Sequence, residues 1–326
     1  MNTFEKNVTV SRGLNYHYYY TPAVGDNITI LFLHGFPSLG SDWSHQFLFF
    51  KGQGFGVVAP DLLGYGGTAK PSDLMDYRHS LIARDVIDII DAENITGRIL
   101  TIGHDWGSIL NSRVSDYYGD RFIGFGFLAG GYTYFTENRF EESFAQTKAL
   151  LGYEANGYMK FFCEADAAKI IEDHFDSFIH LVYPKDSLSW REELCPLGVA
   201  RRNLLDDKKP ELAEYITESD LKAYRKAFLA GGINGPLNWY KAYILSDDIL
   251  ANDNKQIPKE KAHITKPVFL GPCLKDMACP AAFVEKFASA SCSDLTVKRY
   301  DTGHWVMKEA AKSLNNDLLA WIKEKF

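Results

Sequence analysis

The feature that most constrains the fold of this 326-residue chain is an alternation of short apolar runs with amphipathic helical patterns. A short apolar run bounded by turn residues predicts a buried strand. Helical patterns between such runs favour a mostly parallel sheet covered by helices. We therefore predict an α/β fold. The predicted core strands are residues 28–33, 56–59, 98–102, 122–128, 268–271 and 295–300.

The middle of the chain has a different pattern. From about residue 132 to residue 254 the strand-like runs stop and helical stretches take over. One helix is predicted to begin at Thr217-Glu218-Ser219-Asp220 and to end at Gly231-Gly232. Its predicted apolar face consists of Leu221, Tyr224, Phe228 and Leu229. We therefore predict an α/β core of residues 1–131 and 255–326, interrupted by an all-helical cap domain of residues 132–254.

Charge and cysteine content exclude several functions. The chain has 35 Lys and Arg against 42 Asp and Glu, a net charge of −7, so we expect no nucleic-acid partner. Five cysteines without a Cys-x-x-Cys pair suit neither a disulfide framework nor a zinc site. The polar start and the lack of a membrane-length apolar run favour a cytoplasmic protein without membrane insertion. The sequence leaves open whether the chain forms a homo-oligomer.

One motif carries a candidate nucleophile. The strand at 98–102 runs into Gly103-His104-Asp105-Trp106-Gly107 and then into a helical pattern. Glycines at these positions allow the sharp turn that lifts a central side chain out of a sheet. Most such turns carry serine, but this one carries Asp105, and a carboxylate can displace a leaving group from saturated carbon. The motif therefore points to an epoxide or a carbon–halogen bond. The alternative is an ordinary glycine turn with a helix-capping aspartate.

A second motif, His34-Gly35-Phe36-Pro37, follows the strand at 28–33. In this layout the backbone N–H of Phe36 lies beside that of Trp106, and two such donors can hold the oxyanion formed when an Asp105 ester is hydrolysed. The Phe36–Pro37 bond is a candidate cis peptide. The alternative interpretation is a plain turn at the end of a strand.

A histidine near the C-terminus supplies a candidate base. His304 follows the last predicted strand, and an ester can turn over only if a water molecule next to it is deprotonated. Asp276 can orient its imidazole and stabilise the charged form. Asp301 is the rival acid. Because it lies only three residues before His304 in the sequence, it is better suited to stabilising the loop.

Two tyrosines of the predicted cap, Tyr158 and Tyr240, could donate a hydrogen bond to the alkoxide that forms when an epoxide opens. Tyr153 and Tyr243 are nearby competitors. Most of the eighteen tyrosines are expected to serve packing.

Together these motifs resemble those of the soluble epoxide hydrolases of the α/β-hydrolase superfamily, over nearly the whole chain from residue 28. The motifs are His34-Gly35-Phe36-Pro37, Gly103-His104-Asp105-Trp106-Gly107, Gly235-Pro236-Leu237-Asn238-Trp239-Tyr240, Asp276 and Gly303-His304-Trp305. The nucleophile–acid–base order also matches that fold. Two departures are Leu63, where relatives often carry Arg, and the run Glu164-Ala165-Asp166-Ala167, which lacks a proline common in relatives.

The resemblance implies that an apolar epoxide is hydrolysed to a vicinal diol without a cofactor or metal. It implies catalytic roles for Asp105, His304, Asp276, Tyr158 and Tyr240, oxyanion donors at Phe36 and Trp106, and substrate contacts at Phe36, Trp106 and Trp239.

Three other functions are weighed against this one. A haloalkane dehalogenase shares the aspartate nucleophile and the following tryptophan, but often carries Asn after His-Gly, where this chain has Phe36. Asp105 itself disfavours a serine esterase. A ligand-binding protein without catalysis would not need Asp105, Asp276 and His304 at their expected places.

Overall fold

The computed structural model describes residues 4–135, 137, 140–245 and 249–326. Within these residues eight strands form a single sheet in the order β1-β2-β4-β3-β5-β6-β7-β8. The first two strands are antiparallel to their neighbours, and the other six are parallel. The strands are β1 Glu5–Thr9, β2 Asn15–Thr21, β3 Thr29–Leu33, β4 Gly56–Pro60, β5 Ile99–His104, β6 Gly124–Leu128, β7 Ile264–Gly271 and β8 Cys292–Val297.

Each predicted core strand is present, with bounds that differ by a few residues. β7 begins four residues before its predicted start, and the last strand, predicted at 295–300, is found at Cys292–Val297. Strands β1 and β2 were not predicted. They form an antiparallel pair at the sheet edge, where β2 alternates between buried and partly exposed residues. Continuous apolar runs mark only strands that are buried on both faces, as β3 to β6 are over their whole lengths.

Helices cover the sheet. They are α1 Ser44–Gly52, α2 His79–Ala92, α3 Trp106–Tyr118, α4 Phe140–Leu151, α5 Tyr158–Phe162, α6 Ala167–Asp173, α7 Phe175–Val182, α8 Trp190–Glu193, α9 Val199–Leu205, α10 Glu218–Tyr224, α11 Asn234–Ile244, α12 Ile249–Asn254, α13 Ala281–Ser291, α14 Val306–Glu309 and α15 Ala311–Lys325. Helices α4 to α12 all come between β6 and β7. In the described part of that segment the β-pairing is one isolated bridge, between Pro184 and Leu212.

Helix α10 begins as predicted, because Thr217 and Asp220 cap its N-terminus reciprocally. It continues as a π-helical segment, Arg225–Ala230, and stops at Gly231. Tyr224 and Phe228 are fully buried, but Leu229 is 40% exposed, so its predicted place on the apolar face is wrong. A π-turn contains one more residue than the α-helical spacing assumes, and this rotates the following side chains away from the expected face.

No helix among the described residues is both long enough and apolar enough to span a bilayer.

Candidate active site

Asp105 occupies the turn between β5 and α3, with φ 55° and ψ −123°. The flanking glycines make this turn sterically feasible. A Cβ atom at Gly107 would lie 2.1 Å from the carbonyl oxygen of Leu33, and one at Gly103 would lie 2.2 Å from the carbonyl oxygen of Gly107. The turn therefore projects the Asp105 side chain beyond the carboxyl ends of the parallel strands, where ligands of α/β folds bind.

Two backbone N–H groups point at the Asp105 carboxylate. The N–H of Phe36 donates to Oδ1 at 2.8 Å, and the N–H of Trp106 also hydrogen-bonds the carboxylate. The Phe36–Pro37 peptide is cis, as the sequence predicted. A Cβ atom at Gly35 would lie 2.2 Å from Asp105 Oδ1, so this position accepts only glycine. The geometry suits the stabilisation of negative charge on Oδ1.

His304 lies on the other side of the carboxylate. Its Nε2 is 3.6 Å from Asp105 Oδ2, and its Nδ1 is 2.6 Å from Asp276 Oδ2. The second oxygen of Asp276 accepts hydrogen bonds from the backbone N–H groups of Ala278 and Cys279, both at 2.9 Å. Asp276 is thus fixed by its own loop and orients the imidazole so that Nε2 faces the nucleophile.

Asp301, the rival acid, does not reach the imidazole. Its side chain is 75% exposed and pairs with Lys275 at 3.0 Å. The structure therefore brings Asp276, and not Asp301, to His304.

Burial and charge act in opposite directions on the two reacting groups. Burial raises the pKa of Asp105 above its ordinary 3.8, although His304 and the N–H groups of Phe36 and Trp106 lower it. Burial also disfavours the imidazolium of His304, but the charges of Asp276 and Asp105 outweigh it and raise the pKa of His304 above 6.5. The carboxylate is therefore poorly hydrated and correspondingly basic, which favours attack on carbon.

Tyr158 and Tyr240 face this pair. Their rings are 6.3 Å apart, and the ring of Tyr240 also packs against those of Phe36 and Trp106, each at 5.1 Å. Burial and the nearby Asp105 charge raise the pKa of both phenols well above 10. Both hydroxyl groups therefore remain protonated and available as hydrogen-bond donors.

The other two tyrosines are placed differently. Tyr153 donates its hydroxyl hydrogen to the carbonyl oxygen of Met277 at 2.7 Å, which commits it to the Asp276 loop. Tyr243 stacks edge-on against Trp106 at 5.8 Å and lines a cavity beside it.

Trp239 was predicted to contact substrate, but it lines neither of the cavities that reach Asp105. Its ring is fully buried behind Trp106, and its indole N–H donates to the carbonyl oxygen of Leu63 at 2.8 Å. In the structure Trp239 therefore supports Trp106 from behind and does not contact the substrate space. Its indole N–H is already hydrogen-bonded to the loop after β4.

The model of a family described as "Alpha/beta hydrolase family" matches residues 30–316. The chain belongs to the alpha/beta hydrolase family. This confirms the predicted fold class.

Several relatives of this hydrolase are named as epoxide hydrolases. This chain is 27% identical to "Epoxide hydrolase 2" of Siraitia grosvenorii over 256 residues, 77% of this chain and 76% of that protein. It is 24% identical to "Bifunctional epoxide hydrolase 2" of Mus musculus over 331 residues, 97% of this chain and 55% of that protein. Among solved structures, a mutant epoxide hydrolase of Vigna radiata superposes with a TM-score of 0.80 at 24% identity, covering 98% of both chains. The resemblance to epoxide hydrolases drawn from the motifs is confirmed.

Within the described part of this alpha/beta hydrolase, two cavities reach the nucleophile. The larger has a volume of about 300 Å³ and includes Trp106 in its wall. The smaller has a volume of about 20 Å³ and includes Phe36, Tyr240 and His304. Asp105 belongs to both, so a substrate at the carboxylate is in contact with both spaces.

Sequence reasoning missed part of the smaller cavity's wall, which Phe162, Trp190 and Leu194 form with Val182. The ring of Trp190 lies 5.4 Å from that of His304. The available signal was the spacing of Trp190 and Leu194, one helical turn apart in an otherwise polar stretch. This spacing predicts a buried helix face, but it does not indicate which residues that face packs against.

Three side chains at the site could in principle ligate a metal ion: Asp276, Cys279 and His304 place one donor atom each within 4.8 Å of one another. Their other contacts make a poor ligand set. Asp276 and His304 already bond each other, and burial raises the pKa of the Cys279 thiol well above its ordinary value, which disfavours the thiolate that metals bind.

A buried ionic cluster lies behind the His304 loop. Lys308, four residues after His304, pairs with Asp42 at 2.9 Å and with Asp220 at 2.8 Å, and the hydroxyl of Tyr224 donates to Asp42. The Lys308 and Asp42 side chains are 3% and 2% exposed. The cluster joins the segment after the Phe36 loop, the segment after His304, and helix α10.

Replacing Lys308 by methionine is expected to lower the free energy of unfolding by about 3 kcal/mol, because it leaves Asp42 buried without a countercharge. Urea unfolding measures the loss. Lys169→Met is the matched control, since it removes a lysine that pairs with Asp173 in solvent and should change stability little. An unfolding midpoint for Lys308→Met equal to that of the control would contradict a stabilising role for the cluster.

Proposed function

We propose that this hydrolase opens epoxides to vicinal diols through an alkyl ester on Asp105, without a cofactor. The observation that carries the proposal is that His304, held by Asp276, lies 3.6 Å from the Asp105 carboxylate, and that Tyr158 and Tyr240 line the same cavity as these two residues. The names of the relatives support it independently.

In the first step Asp105 Oδ2 attacks a ring carbon of the epoxide. The bond between that carbon and the ring oxygen breaks, and its electron pair stays on the oxygen as an alkoxide. Tyr158 and Tyr240 donate hydrogen bonds to this oxygen, and one of them supplies the proton that makes it a hydroxyl group. The N–H of Phe36 holds Oδ1, so that Oδ2, which faces His304, is the oxygen that attacks.

In the second step His304 removes a proton from water, and the resulting hydroxide attacks the carbonyl carbon of the ester. Negative charge develops on Oδ1, which accepts from the Phe36 N–H, and the N–H of Trp106 supports it as a second donor to the carboxyl group. Collapse of this intermediate breaks the bond between the carboxyl carbon and the former Oδ2, which leaves as one oxygen of the diol. That oxygen takes up the proton remaining on the oxygen from water, so Asp105 returns as a carboxylate. Asp276 stabilises the imidazolium until its proton returns to the phenolate.

The haloalkane alternative uses the same nucleophile but needs donors for a halide. The Phe36 side chain supplies none, since it packs among rings with Phe162 at 5.1 Å. Two phenols suit an alkoxide, which must be protonated, better than a halide, which leaves as an ion. We therefore favour the epoxide.

We further propose that residues 132–254 act as a cap over the core of residues 1–131 and 255–326, since helices α5, α8 and α11 from this segment contribute Tyr158, Trp190 and Tyr240 to the site. We also propose a cytoplasmic location. It is supported by the cysteines, all five of which are free thiols, as expected in a reducing compartment.

One turnover in water enriched in heavy oxygen tests the mechanism. With enzyme in excess over a styrene epoxide probe, the label is expected in the protein, in the peptide containing Asp105, and not in the diol. With substrate in excess the label should enter the diol in later cycles. Direct appearance of the label in the diol during the first turnover would rule out the ester and favour attack by water on the ring.

The pH dependence follows from the charges around His304. The base must be neutral, so ester hydrolysis should fall as the pH drops through the pKa of His304. In the ester Asp105 carries no charge, and one of the two anions that raise this pKa is gone. We therefore expect the midpoint of ester hydrolysis, measured by rapid quench, to lie below the pKa of His304 measured by NMR in the free protein.

Asp105→Ala supplies the control for this pH prediction, because it removes the same charge without an ester and cannot revert to the carboxylate. His304 in that variant should titrate at lower pH than in the unsubstituted protein. An unchanged or higher pKa would show that Asp105 does not set the titration of His304.

A further inference from the structure

The two cavities that meet at Asp105 differ greatly in size. They share only Asp105, Tyr158 and Ala278 among their described lining residues, so the reacting carbon of a substrate would lie at their junction. From that point the larger cavity offers about 300 Å³, whereas the smaller offers about 20 Å³. The two carbons of an epoxide ring therefore face unequal spaces.

The walls of the smaller cavity are closely packed. Phe162, Trp190 and Leu194 are each at most 5% exposed, and Phe162 packs against Phe36 and Tyr240 at 5.1 and 5.0 Å. A volume of about 20 Å³ holds a single water molecule. An alkyl chain could enter only by displacing this ring cluster.

The smaller cavity is also the one that contains His304. The water that His304 deprotonates must lie within hydrogen-bond reach of Nε2 and next to the Asp105 carboxyl carbon. A substituent in this space would therefore compete with the reacting water as well as with the walls.

The larger cavity has room for a substituent. Apolar and aromatic side chains dominate its wall, among them Ile109, Met159 and Phe283. It also includes Leu150 and Phe287, which are 71% and 58% exposed, so the cavity continues to the protein surface. An apolar chain can extend from Asp105 along this path, because the path is wide and its wall is largely apolar.

We propose that the substrates are terminal epoxides, in which one ring carbon bears an apolar substituent and the other is unsubstituted. The substituent lies in the larger cavity, and the CH₂ carbon faces His304. This inference rests on the proposed epoxide hydrolysis and adds a selection against epoxides with a chain on each carbon.

The test compares two isomers of equal mass and hydrophobicity, the epoxides of 1-octene and of trans-4-octene. We expect kcat/KM to be higher for the terminal isomer by about 100-fold, since a propyl group must otherwise displace packed side chains. Equal values for the two isomers would overturn the terminal-epoxide inference and leave the proposed function intact. If neither octene epoxide nor styrene oxide is converted to a diol, the proposed function itself is contradicted.

Two variants locate the cause of the selectivity. Leu194→Ala enlarges the smaller cavity and should raise the ratio of internal to terminal kcat/KM by about tenfold. Met159→Ala enlarges only the larger cavity and should leave that ratio unchanged. If Leu194→Ala does not fold, Val182→Ala tests the same wall. A ratio that responds equally to both cavities would contradict the assignment.

Discussion

Replacing Asp105 by alanine is expected to abolish diol formation, with kcat reduced by a factor on the order of 10⁴ or more. Without the carboxylate no ester can form, and the remaining groups are arranged to act on that ester. The N–H groups of Phe36 and Trp106 would lose the oxygen that they hold, and Nε2 of His304 would lose the anion 3.6 Å away. Product analysis with styrene oxide measures the effect, and circular dichroism checks that the variant folds.

Asp105→Asn provides the sharper comparison, because it preserves the shape of the side chain but removes its charge. This variant should start inactive and regain activity slowly as the amide is hydrolysed to the carboxylate by the same base. Intact-mass analysis follows the conversion. Full activity in Asp105→Ala would refute nucleophilic catalysis by this residue.

His304→Gln is expected to separate the two half-reactions. Ring opening does not require the base, so the variant should still be alkylated, whereas ester hydrolysis should slow by about 10³-fold. The alkylated protein would accumulate and show the added mass of one substrate molecule. Asp276→Asn should give a weaker form of the same effect, since it removes the negative charge 2.6 Å from Nδ1 that stabilises the imidazolium.

Asp301→Asn is the matched control, because Asp301 lies in the same loop as His304 but pairs with Lys275 at the surface. It should turn over normally. Turnover in His304→Gln at the rate of this control would exclude His304 as the base. Loss of alkylation in His304→Gln would show that the histidine acts before the ester forms.

Much of the fold could be predicted from the sequence because buried parallel strands leave a strong local signal. Strands β3 to β6 are buried over their whole lengths, and the motifs with Asp105 and Phe36 follow directly after β5 and β3. Parallel strands bring their carboxyl ends to one edge of the sheet, so separate motifs could be expected to meet there.

The remaining features depend on packing between distant segments, which local patterns do not encode. The edge hairpin β1–β2 is stabilised by pairing of β2 with β4, and the π-helical segment after Tyr224 packs Phe228 against Tyr65 and Phe175. Trp190 reaches the site only because α8 folds over His304. The position of Trp239 behind Trp106 has the same origin, since its motif does not specify which way the indole faces.

The backbone of Asp105 carries a consequence for engineering. A residue with a side chain at φ 55° and ψ −123° costs the folded state on the order of 1–3 kcal/mol, whereas glycine adopts such angles readily. The chain is therefore less robust at the point where its chemistry takes place. Replacing residues with positive φ by glycine is a common way to stabilise a protein. At position 105 the same substitution would raise the stability of the fold and abolish its activity.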